Sequence, residues 1–208
     1  MTLKAQYCGI DYSVCSPAAT IINIFPDDSE YIEIICHSEE LKENIHYYGE
    51  ALDIEVFSNP RRIEDDDYFK RLAWNALSFA NSLLTEIVLD KYAHVAIEDY
   101  SMGSKGRITG IAECTGVFKN ELYKAHLSII PYAPKTIKKF FTGNGNADKQ
   151  KMFDALKEKK PIIVEAYIEL AEHMKKKKIR FDKSPFADLT DSYAIAEYIR
   201  FMKEKKND

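Results

Sequence analysis

Three short apolar runs near the N-terminus set the first constraint on the fold. Ala5 to Ile10, Ala18 to Phe25 and Tyr31 to Cys36 are separated by short connections, the first running from Asp11 to a turn at Ser16-Pro17 and the second turning at Pro26-Asp27-Asp28-Ser29. Connections this short suit hairpins and leave no room for a crossover helix, so the three runs predict an antiparallel meander. The pattern then changes period. Tyr68 to Lys91 places Leu72, Ala76, Phe79, Leu83 and Ile87 at helical spacing. Ala93 to Glu98 reads as a strand covered on both faces. Ile108 to His126 reads as a helix, with Ile111, Thr115, Phe118 and Leu122 on one side and the small residues Gly110, Ala112 and Gly116 between them. Leu127 to Pro131 is a further strand, and helices follow at Pro134–Phe141, Ala147–Lys159, from Pro161, and from Phe186.

This order predicts an α/β fold: a mixed five-stranded sheet, three antiparallel strands followed by parallel ones, with helices on both faces. His37 to Asp67 stands apart. It is polar and irregular, with a loop signal at Asn59-Pro60-Arg61-Arg62, and the one element it suggests is a short helix within Ser38 to Tyr48.

A chain of 208 residues has the length of one domain with a sizeable core, so residues 1–208 are read as a single domain with 37–67 as an insertion. Its 46% apolar residues fit a globular protein. No apolar run approaches a membrane span, and no signal peptide is evident, so the expected location is the cytoplasm. Cys8, Cys15, Cys36 and Cys114 have no CxxC spacing and read as small core residues in a reducing compartment. The net charge of −4 excludes a uniformly basic nucleic-acid binder, though not a basic face beside an acidic site.

The carboxylates carry the chemistry. In Phe186-Ala187-Asp188-Leu189-Thr190-Asp191 two aspartates three apart share a helix face that continues as Ile195, Tyr198 and Met202, with Ile199 beside it. That face is apolar, so the two acids continue a buried stripe. The ordinary reading makes Asp188 an N-cap and Asp191 a first-turn acid favoured by the helix dipole. Asp11 and Glu98 each end a strand, and an acid there is ordinarily a turn or loop residue. If those strands are adjacent and parallel, their ends are neighbours at a sheet edge where α/β sites form. Four converging carboxylates offer hard oxygen ligands suited to Mg²⁺ or Mn²⁺, and a two-ion site of that kind hydrolyses phosphodiesters. No serine–histidine or cysteine–histidine arrangement competes.

Gly9-Ile10-Asp11, Ala96-Ile97-Glu98, the segment Ala133-Pro134 to Lys149 and Asp188-Leu189-Thr190-Asp191-Ser192-Tyr193-Ala194 follow one another as in the RuvC-type Holliday junction resolvases, which the chain resembles from Ala5 to Met202. The most specific piece is Lys138 followed by Gly143-Asn144-Gly145 and Ala147-Asp148-Lys149. In style the chain is similar to the phage-borne branch, which places it in a bacterium or a phage-infected host cell. The resemblance implies the RNase H-like fold. It implies that Asp11, Glu98, Asp188 and Asp191 bind Mg²⁺, with Mn²⁺ as a substitute, and that Lys138 and Lys149 serve near the scissile phosphate or the DNA backbone. It further implies a homodimer that nicks two opposed strands of a four-way DNA junction, with the helix from Ile108 as the candidate for dimer packing. Lys105, Arg107, Lys135, Lys139 and Lys151 are placed by sequence near the acids and are expected to meet phosphates. The family often has an aromatic residue shortly after the glutamate. Here Tyr100 is the nearest, one position early, with Ser101 in the usual place.

Two other functions remain open from sequence. A non-catalytic branched-DNA-binding module on the same fold would bind junctions without nicking them. A sugar or actin-like phosphotransferase also opens with Gly-Ile-Asp on a first strand, but needs a second glycine-rich phosphate loop, and none is convincing here.

Overall fold

The computed structural model describes residues 3–39, 41–58, 68–88, 92–99, 108–174 and 180–205. The meander is present as β1 (Ala5–Asp11), β2 (Ala18–Ile24) and β3 (Glu30–Ser38), paired antiparallel with Ile10 opposite Ala19 and Ile22 opposite Ile32. The sheet then grows in both directions. On the β3 side, β4 (Ile45–Tyr48) and β5 (Leu52–Ser58) form a hairpin, and β5 runs parallel to β3. On the β1 side, β6 (Ala93–Glu98) lies parallel to β1, and β7 (Ile129–Tyr132) lies parallel to β6. The sheet therefore has seven strands in the order β4-β5-β3-β2-β1-β6-β7, two more than the five expected.

The two additional strands lie in the segment read as irregular. No helix forms between Ser38 and Tyr48 among the described residues; the chain continues β3 to Ser38 and turns into β4. Leu52, Ile54 and Val56 of β5 are buried and alternate with Asp53 and Glu55, the period-2 pattern of a half-covered strand. The last strand starts two residues later than expected, at Ile129.

Helices cover both faces. α1 (Tyr68–Glu86) and α2 (Ile108–Lys124) pack on one, where Cys8, Ile10, Ile21, Phe79, Leu83 and Phe118 are buried together. Phe79 and Phe118 stack at 5.3 Å, and Tyr12 stacks on Phe118 at 4.9 Å. The other face carries α3 (Pro134–Thr142), α4 (Lys149–Lys159), α5 (Pro161–His173) and α6 (Phe186–Glu204), over a core that includes Tyr7, Ile22, Ile34, Tyr167, Phe186 and Ile195. The lysine run 175–178 lies outside the described residues.

α6 is the helix against which the site is built, and its first half is buried nearly all round. A helix so placed must approach the sheet closely, and Gly9 permits it. A Cβ at Gly9 would lie 2.1 Å from the Ala196 nitrogen and 2.4 Å from the Ser192 oxygen. The helix backbone thus rests directly on β1. Beside this contact, Thr20 Oγ1 and Ser192 Oγ share a buried hydrogen bond of 2.8 Å that ties α6 to β2. Three of the four cysteines are buried, Cys15 is exposed, and each is a thiol outside any disulfide.

Candidate active site

The parallel pairing of β1 and β6 sets Ile10 beside Ile97, so the next residues, Asp11 and Glu98, emerge together at the carboxyl ends of adjacent strands. Side chains alternate along a strand. Tyr7 and Ala96 face the α3–α6 core, while Cys8, Ile10, Val95 and Ile97 face α1 and α2. Asp11 and Glu98 therefore project on the α6 side.

α6 begins at Phe186 with Pro185 in the capping position, so Asp188 is not the N-cap that its sequence position suggested. It sits in the first turn, 4% exposed, where the helix dipole favours a carboxylate. One of its oxygens, Oδ2, accepts hydrogen bonds from Ser16 Oγ at 2.6 Å and from Ser184 Oγ. The two serine hydroxyls also lie 3.2 Å apart. The other oxygen, Oδ1, faces Lys149 Nζ at 3.0 Å, and the same ammonium lies 3.4 Å from Asp191 Oδ2.

Lys149 is placed by two local devices. Gly143 closes α3 in the left-handed conformation (φ 77°), its N–H donating to the Lys139 carbonyl. Asp148 then caps α4 by accepting from the Lys151 N–H at 2.9 Å, which makes Lys149 the first residue of that helix.

Electrostatics show how closely the four acids interact. Burial raises the Asp11 carboxyl well above the usual range, and Asp191, Glu98 and Asp188 push it further. Burial and then Asp191 push Glu98 up to about 7, against the pull of Lys138 and Lys149. Asp191 is also raised, by burial first, with Lys149 opposing. Burial works against the Lys149 ammonium, yet Asp188, Asp191 and Asp11 hold it charged above the ordinary lysine range. Lys149 and Lys138 thus only partly compensate the four carboxylates. Among the described residues, no three histidine, cysteine or acidic side chains close on a single metal-sized point. Asp188 and Asp191 stand against Lys149, with Asp11 and Glu98 within electrostatic reach.

The structure thus brings together Asp11, Glu98, Asp188, Asp191 and Lys149, with Lys138 within electrostatic reach of Glu98 and Asp191. Lys135, Lys139 and Lys151 are exposed on the outer side of α3 and on α4. Tyr100, Lys105 and Arg107 lie outside the described residues. Ser16 and Ser184 were not legible from sequence: each stands in a Ser-Pro turn, and Ser16 meets Asp188 only across 172 positions.

The sequence model of the family described as crossover junction endodeoxyribonuclease RuvC matches residues 76–163. That stretch is similar to the RuvC family. The matched stretch takes in Glu98, Lys138 and Lys149; Asp11, Asp188 and Asp191 lie outside it. The Thermus thermophilus RuvC structure superposes with a TM-score of 0.56 at 13% identity, covering 97% of this chain and 96% of that one. T. thermophilus RuvC in complex with Holliday junction substrate gives 0.54 at 14% identity, with 97% and 96% covered. The yeast mitochondrial Holliday junction resolvase gives 0.52 at 16% identity, covering 100% of this chain and 82% of that chain. At such identities the likeness is one of fold, the RNase H-like arrangement shared by these RuvC-type proteins. No curated protein sequence matches the chain.

Proposed function

We propose that this RuvC-like chain is a metal-dependent endonuclease that resolves four-way DNA junctions by nicking opposed strands. The observation that carries this reading is the convergence of Asp11, Glu98, Asp188 and Asp191 on Lys149 at the ends of β1 and β6. The match to the junction-endonuclease family and the fold shared with RuvC support it. So does the neighbour recorded with a Holliday junction, whose substrate we take as this chain's substrate class.

The residues fit a hard divalent cation. All four are carboxylates, and three have pKa values raised by burial and mutual repulsion, an excess that cations would neutralise. Mg²⁺ is the ion proposed, with Mn²⁺ as substitute and Asp11, Glu98, Asp188 and Asp191 as ligands; when bound it activates water and stabilises the leaving oxygen. The chain's own groups do the rest. Ser16 and Ser184 fix the plane of the Asp188 carboxylate by holding Oδ2, which keeps Oδ1 turned to the site. Lys149 and Lys138 meet the non-bridging phosphate oxygens and stabilise the charge that develops there. Lys135, Lys139 and Lys151, with Lys105, Arg107 and Tyr100, contact the DNA arms.

Symmetric nicking needs two copies, and a homodimer is part of the proposal. α2 is its packing surface: Gly110 and Gly116 have nothing within 4 Å of where a Cβ would stand, and Tyr123 is 54% exposed. Residues 1–208 act as one nuclease domain, in which β4 and β5 widen the sheet. No helix among the described residues is long and apolar enough to cross a membrane; we place the enzyme in the cytoplasm, with the DNA it cuts.

The test is Asp188→Asn and Asp11→Asn on a synthetic four-way junction with Mg²⁺. Both variants should bind the junction and fail to nick it. Full cleavage by either contradicts the assignment, and a wild type that binds without nicking identifies a non-catalytic junction binder.

A further inference from the structure

Outside the acidic site, α3 and α6 enclose an open groove of about 640 Å³, lined by Lys135, Thr136, Lys139, Phe140, Gly145, Asn146, Tyr198 and Phe201. Its charge departs from that of the molecule. The chain is acidic overall, at −4, yet the groove carries two lysines and no carboxylate among its described lining residues. Those lysines stand at i and i+4 on the outer face of α3. The loop that closes the groove approaches tightly, since a Cβ at Gly145 would lie 3.0 Å from the Lys135 carbonyl oxygen.

The floor is aromatic. Tyr132 and Tyr198 meet edge to face at 4.7 Å, as do Tyr198 and Phe140 at 5.2 Å, and Phe140 and Phe201 lie tilted at 5.2 Å. The series ends on Phe201, which is 43% exposed, with Lys205 Nζ 5.8 Å from its ring centre. A scattered apolar side chain on a surface needs no explanation. This one ends a row of rings, with Lys205 over its own ring and Lys135 and Lys139 along the same groove; Glu197 and Glu204, its neighbours along α6, pair with Arg200 and do not line the groove.

Positive charge interleaved with exposed ring faces is the chemistry that binds single-stranded nucleic acid: lysines follow the phosphates and rings stack the bases. A base pair in a duplex offers only its edges to a groove and cannot lie flat on Phe201. We propose that the α3–α6 groove is a second DNA subsite, which takes one or two unpaired nucleotides with a base on Phe201 and phosphates on Lys135 and Lys139. This rests on the reading of the chain as a DNA-cutting enzyme. α3 links the two sites, because Lys138 reaches the acidic cluster while Lys135 and Lys139 face the groove. The two sites are thus separated by about the 10 Å width of one helix. Unpaired strand leaving the acidic site has a cationic path across α3 into the groove.

The test is fluorescence anisotropy with a labelled oligothymidine and a labelled duplex, in EDTA so that nothing is cut, on wild type, Phe201→Ala, Phe201→Tyr and Lys139→Ala. Loss of one stacked base is worth about 1–3 kcal/mol, so Phe201→Ala should weaken oligothymidine binding about 5- to 150-fold. Duplex affinity should stay unchanged, and Phe201→Tyr should restore single-strand binding. Lys139→Ala should weaken both ligands and flatten the salt dependence of binding. Equal oligothymidine affinity for wild type and Phe201→Ala overturns the subsite, as does a wild type that does not bind oligothymidine. A change of oligomeric state in Phe201→Ala, with DNA binding intact, reassigns the groove to self-association and also overturns it. Junction nicking by the wild type is scored separately, so loss of that activity with intact single-strand binding counts against the nuclease reading alone.

Discussion

Ser16 Oγ donates a 2.6 Å hydrogen bond to Oδ2 of Asp188, the oxygen turned away from Lys149. Ser184 donates to the same oxygen from the turn preceding α6. The two serines commit half of the carboxylate to the protein and leave the other half to the site. Groups that orient a metal ligand from behind typically contribute 10–100-fold to metal affinity or activity. The Ser16→Ala/Ser184→Ala double variant should therefore lose about 10- to 100-fold in junction nicking and bind Mn²⁺ more weakly by titration. Junction binding in EDTA should be unchanged. Unaltered Mn²⁺ affinity would reduce the two serines to a structural role.

Gly9 carries a different constraint. The backbone of α6 lies where its Cβ would be, at 2.1–2.7 Å from Ala196, Ser192 and Ile195. Backbone cannot move aside as a flexible side chain can. Gly9→Ala should cost more than about 3 kcal/mol or prevent folding. Gly116→Ala, on the α2 face proposed to pack a second copy, has room for its Cβ within one protomer and should change stability by no more than about 1 kcal/mol. Thermal unfolding of the two variants side by side checks the contrast. A Gly9→Ala protein as stable as wild type would mean that α6 does not rest on β1.

Glu33 gives a pH dependence separate from the site. Burial pushes its carboxyl up to about 7, with Asn23 opposing through a 3.0 Å hydrogen bond and Glu86, Asp53 and Glu55 adding repulsion. A folded pKa above the unfolded value means that the folded state binds the proton more tightly. The associated stability is complete below the unfolded pKa and is lost as pH rises through about 7. Wild type should therefore lose stability between about pH 4.5 and 7, by roughly 1 kcal/mol from this group once solvent screening is allowed for. Glu33→Gln should flatten that part of the curve. Denaturant unfolding across this range measures it, and parallel curves for the two proteins would contradict it.

Much of the candidate site was legible in the sequence because its signals are local. Asp11 and Glu98 end strands whose apolar runs are unmistakable, and Asp188 and Asp191 continue a helical stripe that Ile195 and Ile199 bury. Gly143 to Asn146 reads directly as helix end and loop, whereas the cap at Asp148 starts α4 at Lys149, two residues later than the expected Ala147. What escaped was set by distant contacts or hidden by polar composition. Leu52, Ile54 and Val56 alternate as a strand should, but the acids between them and the polar residues around them read as loop. Ser16 and Ser184 resemble any turn serine until the fold carries them to Asp188. Gly9 belonged to a recognisable Gly-Ile-Asp sequence, yet its purpose, the seating of α6, depends on a helix more than 180 residues away.

Wild-type protein incubated with a four-way junction, a fork, a flap and a linear duplex, each with Mg²⁺ and with EDTA, tests the central claim most directly. The expected result is paired, symmetric nicks in the junction with Mg²⁺, none in EDTA, and little or no cutting of the linear duplex. Mg²⁺-independent cutting, or an intact junction under conditions where it is bound, would contradict it.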